Sequence, residues 1–138
     1  MKGFSPRYTA PEVFGRMTTN VSMTAVEHEM KSDVYSYSVI LWEMLTRKTP
    51  WANCKYFNSS FDPFYFYKKK ERKKNVVKET SDIDFQVRSG KREVIPDSQG
   101  DKVLEMISMI IELSWKQNPN ERPTFQQIEQ KLTPSVML

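Results

Sequence analysis

The 138-residue sequence predicts an all-α chain that packs around one buried central helix. The first observation is an apolar run in residues 31–51, where Glu43 is the only residue charged at neutral pH between Asp33 and Leu45. A helix that is apolar on every face is typically buried on all sides. The second is a set of three capping-box patterns, in which Ser or Thr is followed three residues later by Asp or Gln. Further helices are therefore expected around the central one.

The central helix has its own start and stop signals. Ser32 is the expected N-cap, Asp33 puts negative charge in the first turn, and Pro50 ends the run. Arg47 and Lys48 put positive charge in the last turn. These bounds give a helix of about four turns. Its apolar residues cover every face: Val34, Tyr35, Tyr37, Val39, Ile40, Leu41, Trp42, Met44 and Leu45.

The residues before the central helix are expected to be mostly loop. Gly, Ser and Pro disfavour regular structure in residues 1–8. Pro11 suits the first turn of a short helix, and Glu12 complements the N-terminus of that helix. Residues 15–30 are polar and are expected to form a loop that leaves His28, the single histidine, in solvent.

Three further helices are expected after residue 80. Their capping boxes are Ser81 with Asp84, Ser98 with Asp101, and Thr124 with Gln127. Gly90 is a natural end for the first of them. The second helix has a broad apolar face: Val103, Leu104, Met106, Ile107, Ile110, Ile111 and Leu113. Trp115, just beyond this helix, is expected to pack in the core, with an interface anchor as the alternative.

Composition limits the classes of protein and partner. One cysteine, Cys54, excludes an internal disulfide and indicates a reducing compartment, the cytoplasm. No apolar run approaches the ~20 residues that span a bilayer, so no membrane segment is expected in this chain. The net charge is +4, but residues 54–76 alone carry +5, which leaves −1 for the rest. Because the basicity belongs to one segment, a nucleic-acid partner is not expected.

Four ordered blocks resemble parts of a protein kinase domain. Residues 31–51 resemble the long helix at the centre of the kinase C-terminal lobe, where Asp, an aromatic, Ser and a run ending in Trp-Glu-Met-Leu-Thr are typical. Residues 5–12, Ser-Pro-Arg-Tyr-Thr-Ala-Pro-Glu, resemble the end of an activation segment. Residues 85–92 and 114–125 resemble the last helices of the tyrosine-kinase-like group. The resemblance implies the helical C-terminal lobe of the kinase fold, with the N-terminal lobe absent.

The resemblance also implies a substrate pocket at the start of the chain. The residues concerned are Ser5, Pro6, Arg7 and Tyr8, which in kinases receive the residue after the phosphorylated one. Ser5 stands where kinases acting on Ser or Thr usually carry Thr. Tyr8 stands where tyrosine kinases usually carry Trp. Both positions favour a Ser or Thr acceptor in a protein substrate.

Three further roles are implied by the same resemblance. Glu12 and Arg122 would form the ion pair that joins the Ala-Pro-Glu motif to the start of the last helix. Asp33 would accept hydrogen bonds from the catalytic loop and hold it in shape. Ile40 and Met44, one turn apart, would support the apolar column beneath the adenine pocket.

The motifs that perform kinase chemistry are missing from this sequence. In protein kinases a Gly-rich loop and a Lys hold the phosphates of ATP, and Asp and Asn hold magnesium. All of these residues precede the Ala-Pro-Glu motif in a kinase sequence. The four glycines cannot form a Gly-x-Gly loop, His28 is followed by Glu29, and there is no Asp-Phe-Gly. The expectation is therefore a partial kinase domain that is inactive alone, with no catalytic residue, metal or cofactor. ATP and magnesium would belong to the parent family.

The expected organisation has four parts. Residues 1–53 hold the activation-segment end and the central helix, 54–80 a disordered basic aromatic insertion, 81–133 the later helices, and 134–138 a tail. The insertion is long for a kinase connection, and the Lys, Phe, Tyr and Asn of residues 54–76 suit a retained AT-rich intron as well as a family-specific insertion. The expected partner is a protein substrate or the missing N-terminal kinase half. A non-catalytic binding module, or a nucleic-acid patch in residues 68–74, stays open as an alternative.

Overall fold

The computed structural model describes residues 5–18, 26–54 and 82–133. Five α-helices lie in these ranges: α1 (Pro11–Thr18), α2 (Val26–Thr46), α3 (helical residues 82–88), α4 (Lys102–Ser114) and α5 (Phe125–Leu132). Short 3-10 turns cover Pro6–Tyr8 and Pro119–Glu121. None of the residues in the three ranges forms a strand, which agrees with the all-α expectation.

The core lies between α2 and the helices that pack on it. One cluster joins buried side chains from α1 to α4 and their flanking residues: Ala10, Phe14, Tyr35, Val39, Trp42, Ile83, Val87, Ile111 and Trp115. A smaller cluster joins α2, α4 and α5 through Val34, Ile110 and Ile128. Trp115 is thus a core residue, as its position after α4 predicted. Burial of this apolar surface is the main force that holds the helices together.

The start of α2 differs from the prediction. The helix begins at Val26, so Ser32 lies inside it and is not its N-cap. The Ser32 hydroxyl instead donates to Glu12 Oε1 at 2.9 Å. Residues such as Glu, Met and Lys before Ser32 are good helix formers, and they extend the helix by about two turns. The expected loop over 15–30 is wrong at both ends, because α1 runs to Thr18 and the backbone of His28 is helical.

Burial on every face of α2 is not confirmed either. Asp33 is exposed, and Ile40 and Met44 are 44% and 71% exposed. Positions 33, 40 and 44 are separated by seven and four residues, so they share one face of the helix. The helix is therefore buried along one side and open along the other within the described part of the chain.

At the other helix ends, the capping residues in the structure agree only in part with those predicted. The Thr124–Gln127 capping box is formed and its prediction is confirmed. Helix α4 is capped by Asp101, whose carboxylate accepts from two backbone N–H groups, and not by Ser98 as predicted. Gly90 ends α3 at φ 86°, and its N–H donates to Val87, as in a Schellman motif. Ser81 lies outside the described residues.

Several predictions fall on residues that the structure does not describe. Apart from Cys54, the predicted insertion, the proposed retained intron and the basic patch at 68–74 lie within residues 55–81. The same holds for the start of the chain, residues 1–4, and for the tail at 134–138. The helices in the described ranges include no candidate for a membrane span.

Candidate functional site

The segment 5–9 is a tight turn held against α2. Pro6 opens the 3-10 turn because its fixed φ suits a helical first position. The Thr9 hydroxyl donates to the Ser5 carbonyl at 2.8 Å, and the Tyr8 N–H donates to the same carbonyl at 3.1 Å. From α2, the Ser36 hydroxyl donates to the Tyr8 carbonyl at 2.7 Å. The backbone of this segment is therefore fixed both internally and to the central helix.

The four residues predicted for the substrate pocket do not all face outward. Ser5 is exposed, whereas Pro6 and Tyr8 are half-buried and Arg7 is only 7% exposed. The Tyr8 hydroxyl donates to Glu43 Oε2 at 2.8 Å. Burial, together with this hydrogen bond and the charge of Glu43, raises the pKa of Tyr8, so the hydroxyl stays a donor. The outer part of the segment is the Ser5 end.

Glu12 and Arg122 meet as a bidentate ion pair although they are 110 residues apart. Arg122 Nη1 lies 2.8 Å from Glu12 Oε1, and Arg122 Nη2 lies 2.9 Å from Glu12 Oε2. Arg122 is 1% exposed. The pair joins α1 to the residues just before α5, and the two parallel N–H···O bonds give it both strength and a fixed orientation.

Every N–H group of the Arg122 guanidinium has an acceptor. Besides Glu12, these are the backbone carbonyls of Lys116 at 2.8 Å, Lys31 at 3.0 Å and Gln117 at 3.4 Å. A guanidinium has five N–H donors, and these contacts use all five. In return, the Lys31 ammonium donates to the Arg122 carbonyl. A buried cation is tolerated only when it is paired and hydrogen-bonded in this way.

The charge of Glu12 depends on its partners. Burial by itself would raise the pKa of Glu12, but the hydrogen bonds and charge of Arg122 outweigh it, and the Ser32 hydroxyl adds to their effect. The pKa therefore lies below its ordinary value of 4.5. Arg122 also stacks on Tyr35, with its guanidinium carbon 5.2 Å from the ring centroid.

We expect acid to remove the stability that the pair supplies. Because the pKa of Glu12 is lowered on folding, the unfolded chain binds more protons at acid pH, so the contribution is complete above about pH 4.5. It is lost as the pH falls from there through the folded pKa. Urea unfolding from about pH 7 to about pH 3 measures this. Glu12→Gln should lose this part of the pH dependence, and identical profiles for the two proteins would contradict the assignment.

Sequence reasoning missed two residues that organise the site. Arg92 Nε donates to the Trp115 carbonyl at 2.7 Å, and Arg92 Nη2 donates to Gln117 Oε1 at 2.8 Å. Arg92 also lies 5.2 Å from the Tyr35 ring, as Arg122 does. Glu43, which accepts a hydrogen bond from Tyr8, could have been found from the sequence, because it is the single residue charged at neutral pH in the apolar part of α2. No local pattern around Arg92 indicates its contacts.

The described residues do not fit magnesium. They contain no group of three or more His, Cys, Asp or Glu side chains that could hold a metal ion. Asp33, the carboxylate on the open face of α2, is not part of such a group. What these side chains can do is hold and orient backbone, and no chemical step follows from them through a metal.

Comparison with known proteins shows which family this sequence resembles. A family model described as protein tyrosine and serine/threonine kinase matches residues 1–132. A probable serine/threonine-protein kinase of Dictyostelium discoideum is 31% identical over 125 residues, which are 91% of this chain and 7% of that protein. Serine/threonine-protein kinase CTR1 of Arabidopsis thaliana is 30% identical over 96% of this chain and 12% of its own length. Human receptor-interacting serine/threonine-protein kinase 1 is 32% identical over 75% of this chain and 12% of its own length.

These matches cover most of the present chain and a small part of each relative. The chain spans 7% to 12% of the length of the three relatives named. The family match extends over nearly the whole sequence, from before the Ala-Pro-Glu motif to the last helix. The chain therefore belongs to the protein tyrosine and serine/threonine kinase family.

Proposed function

We propose that these residues form the substrate-side part of a serine/threonine kinase domain of the tyrosine-kinase-like group, that is, its C-terminal lobe. The observation that carries the proposal is the buried bidentate pair of Glu12 and Arg122. It ties the Ala-Pro-Glu segment to the residues before the last helix, which are the two places that the kinase resemblance assigns to it. A buried pair so distant in sequence has no local origin and reflects the tertiary fold.

In this proposal the segment 5–8 presents the acceptor peptide. Ser5 and Pro6 contribute the contact surface, because they lie at the outer end of the segment. Arg7 and Tyr8 hold the segment from within through Pro50 and Glu43. A fixed segment contributes to phosphoryl transfer by holding the acceptor in place, which lowers the entropy lost at the reaction step. Ser5 and the serine/threonine kinases among the relatives support a Ser or Thr acceptor.

The open face of α2 has a separate role in the proposal. Asp33 would accept hydrogen bonds from a catalytic loop, and Ile40 and Met44 would lie beneath the apolar column of the adenine pocket. The exposure of Ile40 and Met44 supports this, because apolar side chains clustered on a surface indicate an interaction site. Asp33, Ile40 and Met44 lie on the same helix face, so one surface could contact both the catalytic loop and the apolar column.

The 138 residues by themselves would not transfer phosphate. Phosphoryl transfer depends on groups that clamp the phosphates and neutralise the developing charge. The sequence contains neither a Gly-x-Gly loop nor Asp-Phe-Gly, and its described residues lack a metal cluster. ATP and magnesium would be held by other parts of a kinase domain.

A phosphotransfer assay tests this part of the proposal. The purified chain is incubated with labelled ATP, magnesium and serine-containing peptides, and we expect no labelled product and no change in melting temperature with magnesium-ATP. A preparation of Glu12→Gln, purified in the same way, detects contaminating kinase, which would give equal label in both samples. Label that appears with the wild-type chain and is lost with the variant would contradict the proposal.

A further inference from the structure

One peptide unit in the turn after α2 is held at both of its polar ends by charged side chains. The Arg7 guanidinium donates to the Pro50 carbonyl. The Trp51 N–H donates to Glu93 Oε1 at 2.5 Å. This carbonyl and this N–H belong to the same peptide bond. A cation at the oxygen and an anion at the N–H reinforce each other, because both polarise the amide in the same sense.

The turn that contains this peptide has an unusual backbone. Trp51 has a φ of 56°, in the left-handed region that a bulky residue seldom adopts. Pro50 is buried, and the Trp51 side chain packs against the main core cluster. Such a conformation persists where surrounding contacts determine it. The two charge-assisted hydrogen bonds, the packed indole and the Cys54 N–H, which donates to the Trp51 carbonyl at 3.1 Å, are contacts of this kind.

We infer that Arg7 and Glu93 act together as a clamp on the Pro50–Trp51 peptide and thereby position the segment 5–9. The functional meaning of the clamp rests on the proposed function, in which this segment presents the acceptor. Arg7 is then a positioning residue. Its guanidinium is directed inward, to the Pro50 carbonyl, and not outward toward a bound peptide.

The clamp complements the two other attachments of the segment. Tyr8 is bonded to Glu43 and Ser36 in the body of α2, whereas Arg7 is bonded to the turn beyond the end of α2. Two adjacent residues thus hold the segment at two separate points. This arrangement prevents it from pivoting about a single contact.

Amide hydrogen exchange on the full 138-residue chain tests the clamp. The variants are Arg7→Met, Arg7→Lys and Glu93→Gln, with Lys48→Met as the control, because Lys48 is an exposed cation close to the same turn. The reporters are the N–H groups of Tyr8 and Thr9, which are bonded within the segment. The core reference is the set of amides in α4.

In Arg7→Met we expect the Tyr8 and Thr9 amides to exchange at least about tenfold faster, which corresponds to about 1.4 kcal/mol. The α4 amides should stay within about twofold of wild type, since a charged hydrogen bond is lost locally. Arg7→Lys should restore part of the protection, Glu93→Gln should give a smaller acceleration, and Lys48→Met none. If Arg7→Met does not fold, Glu93→Gln decides by the same comparison.

Unchanged exchange of Tyr8 and Thr9, or an equal acceleration in α4, would overturn the clamp. The measurement uses neither ATP nor peptide, so it is separate from the test of the proposed function. A chain that bound no acceptor peptide but showed the local acceleration would retain the clamp and lose the proposed function.

Discussion

Glu12→Gln is expected to lower the free energy of unfolding by about 3 to 5 kcal/mol. The substitution removes the negative charge that faces Arg122, whose side chain has no exposed surface, and leaves that cation buried and uncompensated. The remaining carbonyl acceptors around the guanidinium carry only partial charge. Urea unfolding at neutral pH measures the loss, with the slope of the transition checked for two-state behaviour.

Two matched variants separate this effect from a general loss of charge. Glu121→Gln removes a carboxylate beside Arg122 that is exposed and lies 3.7 Å from Lys116, so it should cost about 0 to 1 kcal/mol. The double variant Glu12→Gln with Arg122→Met should cost less than the sum of its parts, because the two residues contact each other. Equal costs for Glu12→Gln and Glu121→Gln would refute the buried pair.

Trp42→Ala is expected to cost about 3 to 5 kcal/mol, the usual range for truncation of a large buried aromatic. Trp42 is 4% exposed and belongs to the main core cluster. Its indole N–H also donates to the Val94 carbonyl at 2.9 Å, which ties α2 to the segment before α4. The substitution therefore removes both packing and a connection between segments.

Two control variants separate the packing of Trp42 from its hydrogen bond and from the truncation of an exposed aromatic. Trp42→Phe keeps most of the apolar volume and removes the hydrogen bond, which is worth about 1 kcal/mol, so its cost should be well below that of Trp42→Ala. Phe85→Ala truncates an aromatic that is 69% exposed and should stay within about 0.5 kcal/mol. A loss as large for Phe85→Ala as for Trp42→Ala would contradict the assignment of the core.

The apolar composition predicted the central helix but not which of its faces is buried. Every face of residues 34–45 carries apolar side chains, so no local pattern marks Ile40 and Met44 as exposed. Which face is covered depends on where α4 and α5 pack, and that is a tertiary property. The start of α2 was missed for a related reason, because Ser32 has the chemistry of an N-cap and uses its hydroxyl for Glu12 instead.

At α4 and α5, the capping prediction depended on whether a second capping residue lies nearby. Thr124 with Gln127 has no rival nearby, and the box forms as predicted. Ser98 and Asp101 both suit an N-cap, and Asp101 takes the role because its carboxylate reaches two backbone N–H groups of the first turn. In a loop, sequence spacing alone does not decide between two capping residues.

Local sequence patterns do not predict the contacts of the site. The pairing of Glu12 with Arg122 was predicted only through the kinase resemblance. No local pattern links two residues that are 110 positions apart. The inward direction of Arg7 was not predicted, because its acceptor is a backbone carbonyl in a turn 43 residues away. Long cationic side chains are usually exposed, and only the tertiary fold supplies a buried acceptor.

We propose that the segment 5–8 receives a serine-containing peptide. The most direct test is to titrate the isotope-labelled chain with short peptides of random sequence and a fixed central Ser, and to follow the backbone amide signals by NMR. Binding with a Kd of about 1 mM, or about −4 kcal/mol, is enough to shift signals. We predict shifts at Ser5, Arg7 and Tyr8, weaker shifts with Tyr in place of the fixed Ser, and unchanged signals in α4. Peptides that shift α4 or α5 and leave Ser5 to Tyr8 unchanged, or that shift no signal at all, would contradict it.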